Sequence, residues 1–148
     1  MRTLRNLVVG TDFSKSAQQA LELAIGIASD AGARIALVHV CEPNADDFDD
    51  RRLGQCEDDL SRLVLQQRSR GLDVTGVLRS GKPWQKLDNV AVEVGASLIV
   101  IARHGAGRSG SIAVGSVAEQ LVRCASRPVL VVASDFDARA TDSRLKNL

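Results

Sequence analysis

Apolar positions along the chain fall into five short runs separated by stretches of helical periodicity. Leu4 to Gly10 (LRNLVVG) is a Val- and Leu-rich run ending in glycine, the pattern of a buried strand. From Ser14 to about Asp30, Ala17, Ala20, Leu21, Ala24, Ile25 and Ala28 share one helical face, with Ser14 as N-cap and Gly32 as stop. Arg34 to Cys41 (RIALVHVC) is a second strand. Leu53, Cys56, Leu60, Leu63, Val64 and Gln67 trace a second amphipathic helix closed by Gly71. Leu72 to Arg79 reads as a third strand interrupted by Gly76. Pro83 opens a third helix that turns Trp84, Leu87, Val90, Ala91 and Val94 inward. Ser97 to Ala102 (SLIVIA) is the fourth strand, and a glycine-rich loop from Arg103 to Gly115 leads into a fourth helix at Ser116. Pro128 to Ala133 (PVLVVA) is the fifth strand, and the polar tail from Ser134 to Leu148 is expected to attach loosely.

Strands linked by crossover segments must run parallel, because antiparallel neighbours need only a hairpin. Strands apolar on both sides agree, since helices cover both faces of such sheets. The expected fold is α/β: a doubly wound five-stranded parallel sheet, order 3-2-1-4-5, with helices on both faces. Residues 1–135 form a single domain in this reading and residues 136–148 a polar C-terminal tail. The loops after strands 1 and 4 diverge in that order, and the crevice between them is where open parallel sheets take ligands.

Composition narrows the partners. Nineteen Lys and Arg against 18 Asp and Glu leave a formal charge of +1, so no global field draws nucleic acid or an anionic membrane. Aromatics are limited to Trp84, Phe13, Phe48 and Phe136, too few for a single-strand stacking platform. No stretch approaches the roughly 18 apolar residues of a membrane span, and the Met1 to Val9 segment lacks the apolar run of a signal peptide. Cys41, Cys56 and Cys124 contain no C-x-x-C pair and read as reduced packing residues, so the expected location is cytoplasmic. Asp46, Asp47, Asp49 and Asp50 read as a solvated loop without the EF-hand spacing.

Two glycine patterns differ in value. Gly76 to Pro83 nearly spells a Walker A loop, but Pro83 has no hydroxyl for magnesium and the intervening residues read as strand. Gly105-Ala-Gly107-Arg-Ser-Gly110 spells G-x-G-x-x-G, yet it follows the fourth strand rather than the first, and no helix opens on its last glycine. The loop nonetheless has the chemistry of a phosphate cradle. Gly105, Gly107 and Gly110 admit an anion close to the backbone, while Arg103 and Arg108 bring charge beside His104 and Ser109. Ser116 and Glu119 are spaced as a capping box, at a helix N-terminus whose free amides favour an anion.

These segments resemble the universal stress protein family from Leu4 to Ala133. The resemblance is carried by VVGTDFSKSAQQAL at Val8 to Leu21, LVHV at Leu37 to Val40, and the stretch Ala102 to Val132. The family's nucleotide-binding branch has G-x2-G-x9-G-[ST] after the fourth strand; here Ala102-x2-Gly105-x9-Gly115-Ser116 matches every position but the first. The resemblance implies that Gly10, Thr11 and Asp12 border an adenosine, that Val40 and Ile101 flank the base, and that Gly105, Gly115, Ser116 and Val117 hold phosphates. Asp12 has a second reading as a helix cap beside Ser14. Ala102, in place of the first glycine, either crowds the ligand or, if φ is positive there, strains the backbone.

His39 lies in an apolar strand and reads as a packed core histidine, whereas His104 either touches a bound nucleotide or faces solvent. No catalytic triad or protein-only metal site follows from these residues, and Mg²⁺ enters only with ATP. The leading functional reading is an ATP-binding protein (AMP or ADP being alternatives) of stress response or signalling, whose nucleotide state alters partner choice. A second is a dimeric interaction module that has lost nucleotide binding; a third is a slow ATP hydrolase. The fifth strand, Pro128 to Ala133, at a sheet edge, is the expected homodimer contact.

Overall fold

The computed structural model describes residues 4–42, 50–104 and 115–133. The elements run β1 (Asn6–Gly10), α1 (Lys15–Ala31), β2 (Arg34–Cys41), α2 (Asp50–Ser69), β3 (Val74–Ser80), α3 (Pro83–Glu93), β4 (Leu98–Ala102), α4 (Ser116–Cys124) and β5 (Val129–Val132). Every pairing is parallel, in the order β3-β2-β1-β4-β5, as the crossover pattern requires. Val8 of the central strand pairs with Ala36 on one side and Ile99 on the other.

Strand alternation divides the core in two. Leu7, Val9, Ile35, Leu37, Val100 and Ala102 face one way and pack with the buried stripe of α1 and with Leu60 and Val64 of α2. Val8, Ala36, Val38, Ile99 and Ile101 face the other way, against Leu87, Val90 and Ala91 of α3 and Ala118 and Leu121 of α4. Each central strand is therefore apolar in both registers, which is why its sequence shows a run instead of alternation.

The helix signals act as predicted at α1. Ser14 Oγ accepts a hydrogen bond from the Ala17 amide at 3.2 Å, and Gly32 closes the helix in the left-handed region at φ 67°. All six residues of the predicted apolar stripe are buried. Elsewhere the structure corrects details. Leu53 is exposed instead of completing the stripe of α2. Asp50 opens α2 rather than lying in a loop, and Asp46, Asp47 and Asp49 fall outside the described residues. The tail beyond Ala133 does too. Gly76 does not weaken β3 by chance: a Cβ there would stand 2.9 Å from Val64 Cγ2, so glycine lets α2 settle onto the strand.

Gly76→Ala is therefore expected to destabilise the protein by about 1–3 kcal/mol, since valine cannot swing its methyl aside. Gly26→Ala, at an exposed α1 position with nothing within 4 Å of its Cβ, is expected to stabilise by about 1 kcal/mol. Urea unfolding of both variants measures the opposite signs.

Candidate functional site

At the C-terminal edge of the sheet, β1 gives way to a turn toward α1, and β4 leads toward α4 on the opposite face. Between these departures lies a cavity of about 360 Å³. Gly10 ends β1 at its floor. A Cβ on Gly10 would stand 3.2 Å from both methyls of Leu87, so its missing side chain lets α3 close beneath the cavity. Val40 on β2 and Ile101 on β4 flank β1 and belong to the same core face, giving apolar walls on either side.

The turn after β1 is cross-linked by its own polar groups. The Thr11 amide donates to Val38 O at 2.8 Å, and Thr11 Oγ1 accepts from the Phe13 amide at 3.0 Å. Asp12 Oδ1 accepts from the Ser14 amide at 2.9 Å, while Ser14, not Asp12, caps α1. Phe13 is held at φ 64°, a left-handed conformation rare for an aromatic residue, and its ring lies 4.6 Å from that of His39. The outcome is an exposed Asp12 presented at the cavity rim on a turn that is fixed on both sides.

The opposite rim is the start of α4. Gly115 is the N-cap, at φ −64° and ψ 157°, with its amide donating to Arg103 O at 2.8 Å. The first helical bond is from the Glu119 amide to Gly115 O, at 2.9 Å. The amides of Ser116, Val117 and Ala118 thus precede the helical ladder and form the positive end of the helix beside the cavity. This corrects the capping-box expectation. Ser116 is the first helical residue, and Glu119 pairs with Arg123 at 3.0 Å one turn along.

His104 is fully buried against the cavity, which removes the solvent-facing reading; neither ring nitrogen has a hydrogen-bond partner among the described residues. The buried Arg103 Nε is likewise unpartnered. Buried polar atoms left unpaired cost about 1–3 kcal/mol each, so such a group at a cavity wall marks a place for a polar ligand. Ala102 has no positive φ, and it belongs to the core face under α1, with Val100 and Val132, while also lining the cavity. No backbone strain follows from the missing glycine. Gly105, Gly107, Arg108, Ser109 and Gly110 fall outside the described residues.

Several lining residues escaped the sequence reading: Val38, Glu42, Pro83 and Leu87. Pro83 carried a usable signal, because a proline opening a helix after β3 belongs to the same sheet edge. His39 is also corrected. It is half-buried in the cavity wall, and its Nδ1 lies 2.7 Å from Thr11 O. A carbonyl oxygen only accepts, so Nδ1 carries the proton. Cys124 is exposed, not packed. The Cys41 thiol is pushed up to about 11, by burial first and then by the Cys56 thiol hydrogen-bonded to it.

The chain matches the universal stress protein family over residues 3–133. It is 31% identical over 139 residues to a universal stress protein encoded in the QAH/OAS sulfhydrylase 3′ region of Thermus aquaticus, covering 86% of this chain and 98% of the relative. A universal stress protein of Archaeoglobus fulgidus solved in complex with dAMP is 26% identical with a TM-score of 0.67, over 88% of this chain and 98% of the other. A universal stress protein solved in complex with cAMP superposes with a TM-score of 0.70 at 23% identity, over 90% of this chain and 99% of the other. Sheet order and the sequence match over residues 3–133 thus agree, and this chain belongs to the universal stress protein family.

Proposed function

We propose that the cavity binds an adenine nucleotide and that the protein acts by presenting nucleotide-dependent surfaces to partners. The observation carrying this reading is the buried imidazole of His104, without a partner among the described residues, beside the open amides of α4. Together they supply donors for an anion at one end of a cavity whose other end is apolar. In this assignment the base lies between Val40 and Ile101, Asp12 accepts from a ribose hydroxyl, and phosphates rest on the amides of Ser116 and Val117. A volume of about 360 Å³ falls within the roughly 300–1,000 Å³ range of small-molecule sites. The dAMP complex of the Archaeoglobus relative supports the ligand class. ATP is the proposed physiological ligand, its Mg²⁺ held by phosphate oxygens rather than by the chain. Without a positive φ at Ala102, backbone strain there does not favour an interaction module without nucleotide.

We further propose a homodimer through β5. It is an edge strand whose Val129, Leu130 and Val131 are only half-buried, and Val122 of the preceding helix is 64% exposed.

His104→Phe separates ligand chemistry from packing. It is expected to stabilise the ligand-free protein by about 1 kcal/mol, because a buried polar group unpaired among the described residues is removed. It is also expected to weaken AMP and ATP by about 10-fold or more, as one charge-assisted hydrogen bond is lost. Thermal unfolding and calorimetric titration read the two effects, and unchanged affinity would refute the assignment. Gly115→Val is sterically directed, since φ −64° is open to valine. It is expected to abolish ATP binding while leaving adenosine binding measurable, whereas Asp12→Ala weakens both in proportion. No binding of AMP, ADP or ATP by wild type at millimolar concentration would end the nucleotide reading. Val131→Lys is expected to convert a dimer to a monomer in sedimentation, and a wild-type monomer at tens of micromolar would end the dimer reading.

A further inference from the structure

The end of β2 carries a cluster that the nucleotide reading does not use. His39 and Cys41 are two residues apart on the strand, so alternation puts both side chains on one face, toward α2. Cys56 comes from the second turn of α2. One ring nitrogen and the two sulfurs all lie within 4.8 Å of one another, and all three residues are half-buried. We propose that His39, Cys41 and Cys56 form a Zn²⁺ site, with solvent as the fourth ligand. The proposal departs from the sequence expectation that the protein alone offers no metal site.

Three features of the geometry support it. A tetrahedral ion with Zn–S near 2.3 Å and Zn–N near 2.0 Å separates its ligand atoms by about 3.5–3.8 Å, so the cluster needs only a small contraction. The Nδ1–H bond to Thr11 O leaves Nε2 with the free lone pair. It is also the kind of outer contact that orients a metal-binding imidazole. The Phe13 ring against His39 holds the imidazole from its other side. Two sulfurs and one nitrogen suit zinc and disfavour Mg²⁺ or Ca²⁺, which prefer oxygen ligands. Binding releases both thiol protons to solvent and leaves two thiolates neutralising one Zn²⁺, with no change of oxidation state. The ion would tie the first turns of α2 to the end of β2, behind the cavity wall formed by His39.

The test uses the full chain, reduced and stripped of metal with a chelator. Titration with Co²⁺ is expected to produce a thiolate-to-cobalt charge-transfer band and the intense visible bands of a tetrahedral ion, both displaced by one equivalent of Zn²⁺. Cys41→Ser and Cys56→Ser are expected to lose these bands and to weaken Zn²⁺ by more than the roughly 10–100-fold that outer-shell changes cost. Cys124→Ser, outside the cluster, is expected to match wild type. Where a serine variant fails to fold, wild type supplies the readout: Zn²⁺ should protect Cys41 and Cys56 from alkylation and leave the exposed Cys124 reactive. Absence of tetrahedral cobalt bands, or equal alkylation with and without Zn²⁺, would overturn the site. So would a Cys41–Cys56 disulfide formed in air by a protein whose reduced form takes no Zn²⁺, which would mark a redox pair instead. Nucleotide binding is measured separately, so this result stands apart from the fate of the cavity assignment.

Discussion

Parallel pairing of β1 with both β2 and β4 is the constraint on which the remaining features depend. It sends all five strands toward one edge and obliges every connecting helix to begin there. Helix N-termini therefore gather at that edge, bringing amides that the helical ladder does not satisfy. Because the chain leaves β1 and β4 toward opposite faces, the cavity opens at that divergence. The site is thus a consequence of winding direction before any side chain is considered.

Side chains then give the cavity its chemical direction. At one end, Gly10 admits Leu87 from below while Val40 and Ile101 wall the sides. At the other, His104 and Arg103 keep buried nitrogens without partners among the described residues, next to the first turn of α4. A polar group of this kind costs stability in the free protein, and the proposed nucleotide site would give it a partner. The left-handed Phe13 belongs to the same trade. Its conformation costs on the order of 1–3 kcal/mol, yet it sets the ring that steadies His39 and shapes the turn presenting Asp12.

The C-terminal end of β2 serves two faces at once. Val40 points into the core with α3 and α4, while His39 and Cys41 point toward α2 and meet Cys56. The Thr11 carbonyl joins the two sides, because it accepts the His39 proton from within the turn that borders the cavity. Ala102 shows the same division on β4. Ile101 and Ala102 both line the cavity, and Ala102 also packs with Val100 and Val132 beneath α1.

The order of elements, the strand arrangement and most of the core could be read from the chain, because periodicity and capping are local. The stripe from Ala17 to Ala28, the Ser14 cap, Gly32 and Pro83 each state their role within a few residues. The cavity residues Gly10 to Asp12 after β1 and Gly115 to Val117 at the start of α4 were reached chiefly through the family resemblance carried by their local motifs. What remained hidden depends on which residues of distant segments meet. Nothing in the sequence around Gly76 reveals that Val64 lies above it, and nothing around Cys41 reveals Cys56 across a helix. The burial of His104 and the outward turn of Cys124 are likewise properties of packing. Local patterns determined the elements and their order, because they follow from backbone geometry and hydrophobic period; only the tertiary structure decided which side chains converge, because those contacts arise from the rotation of each strand and helix against its neighbours.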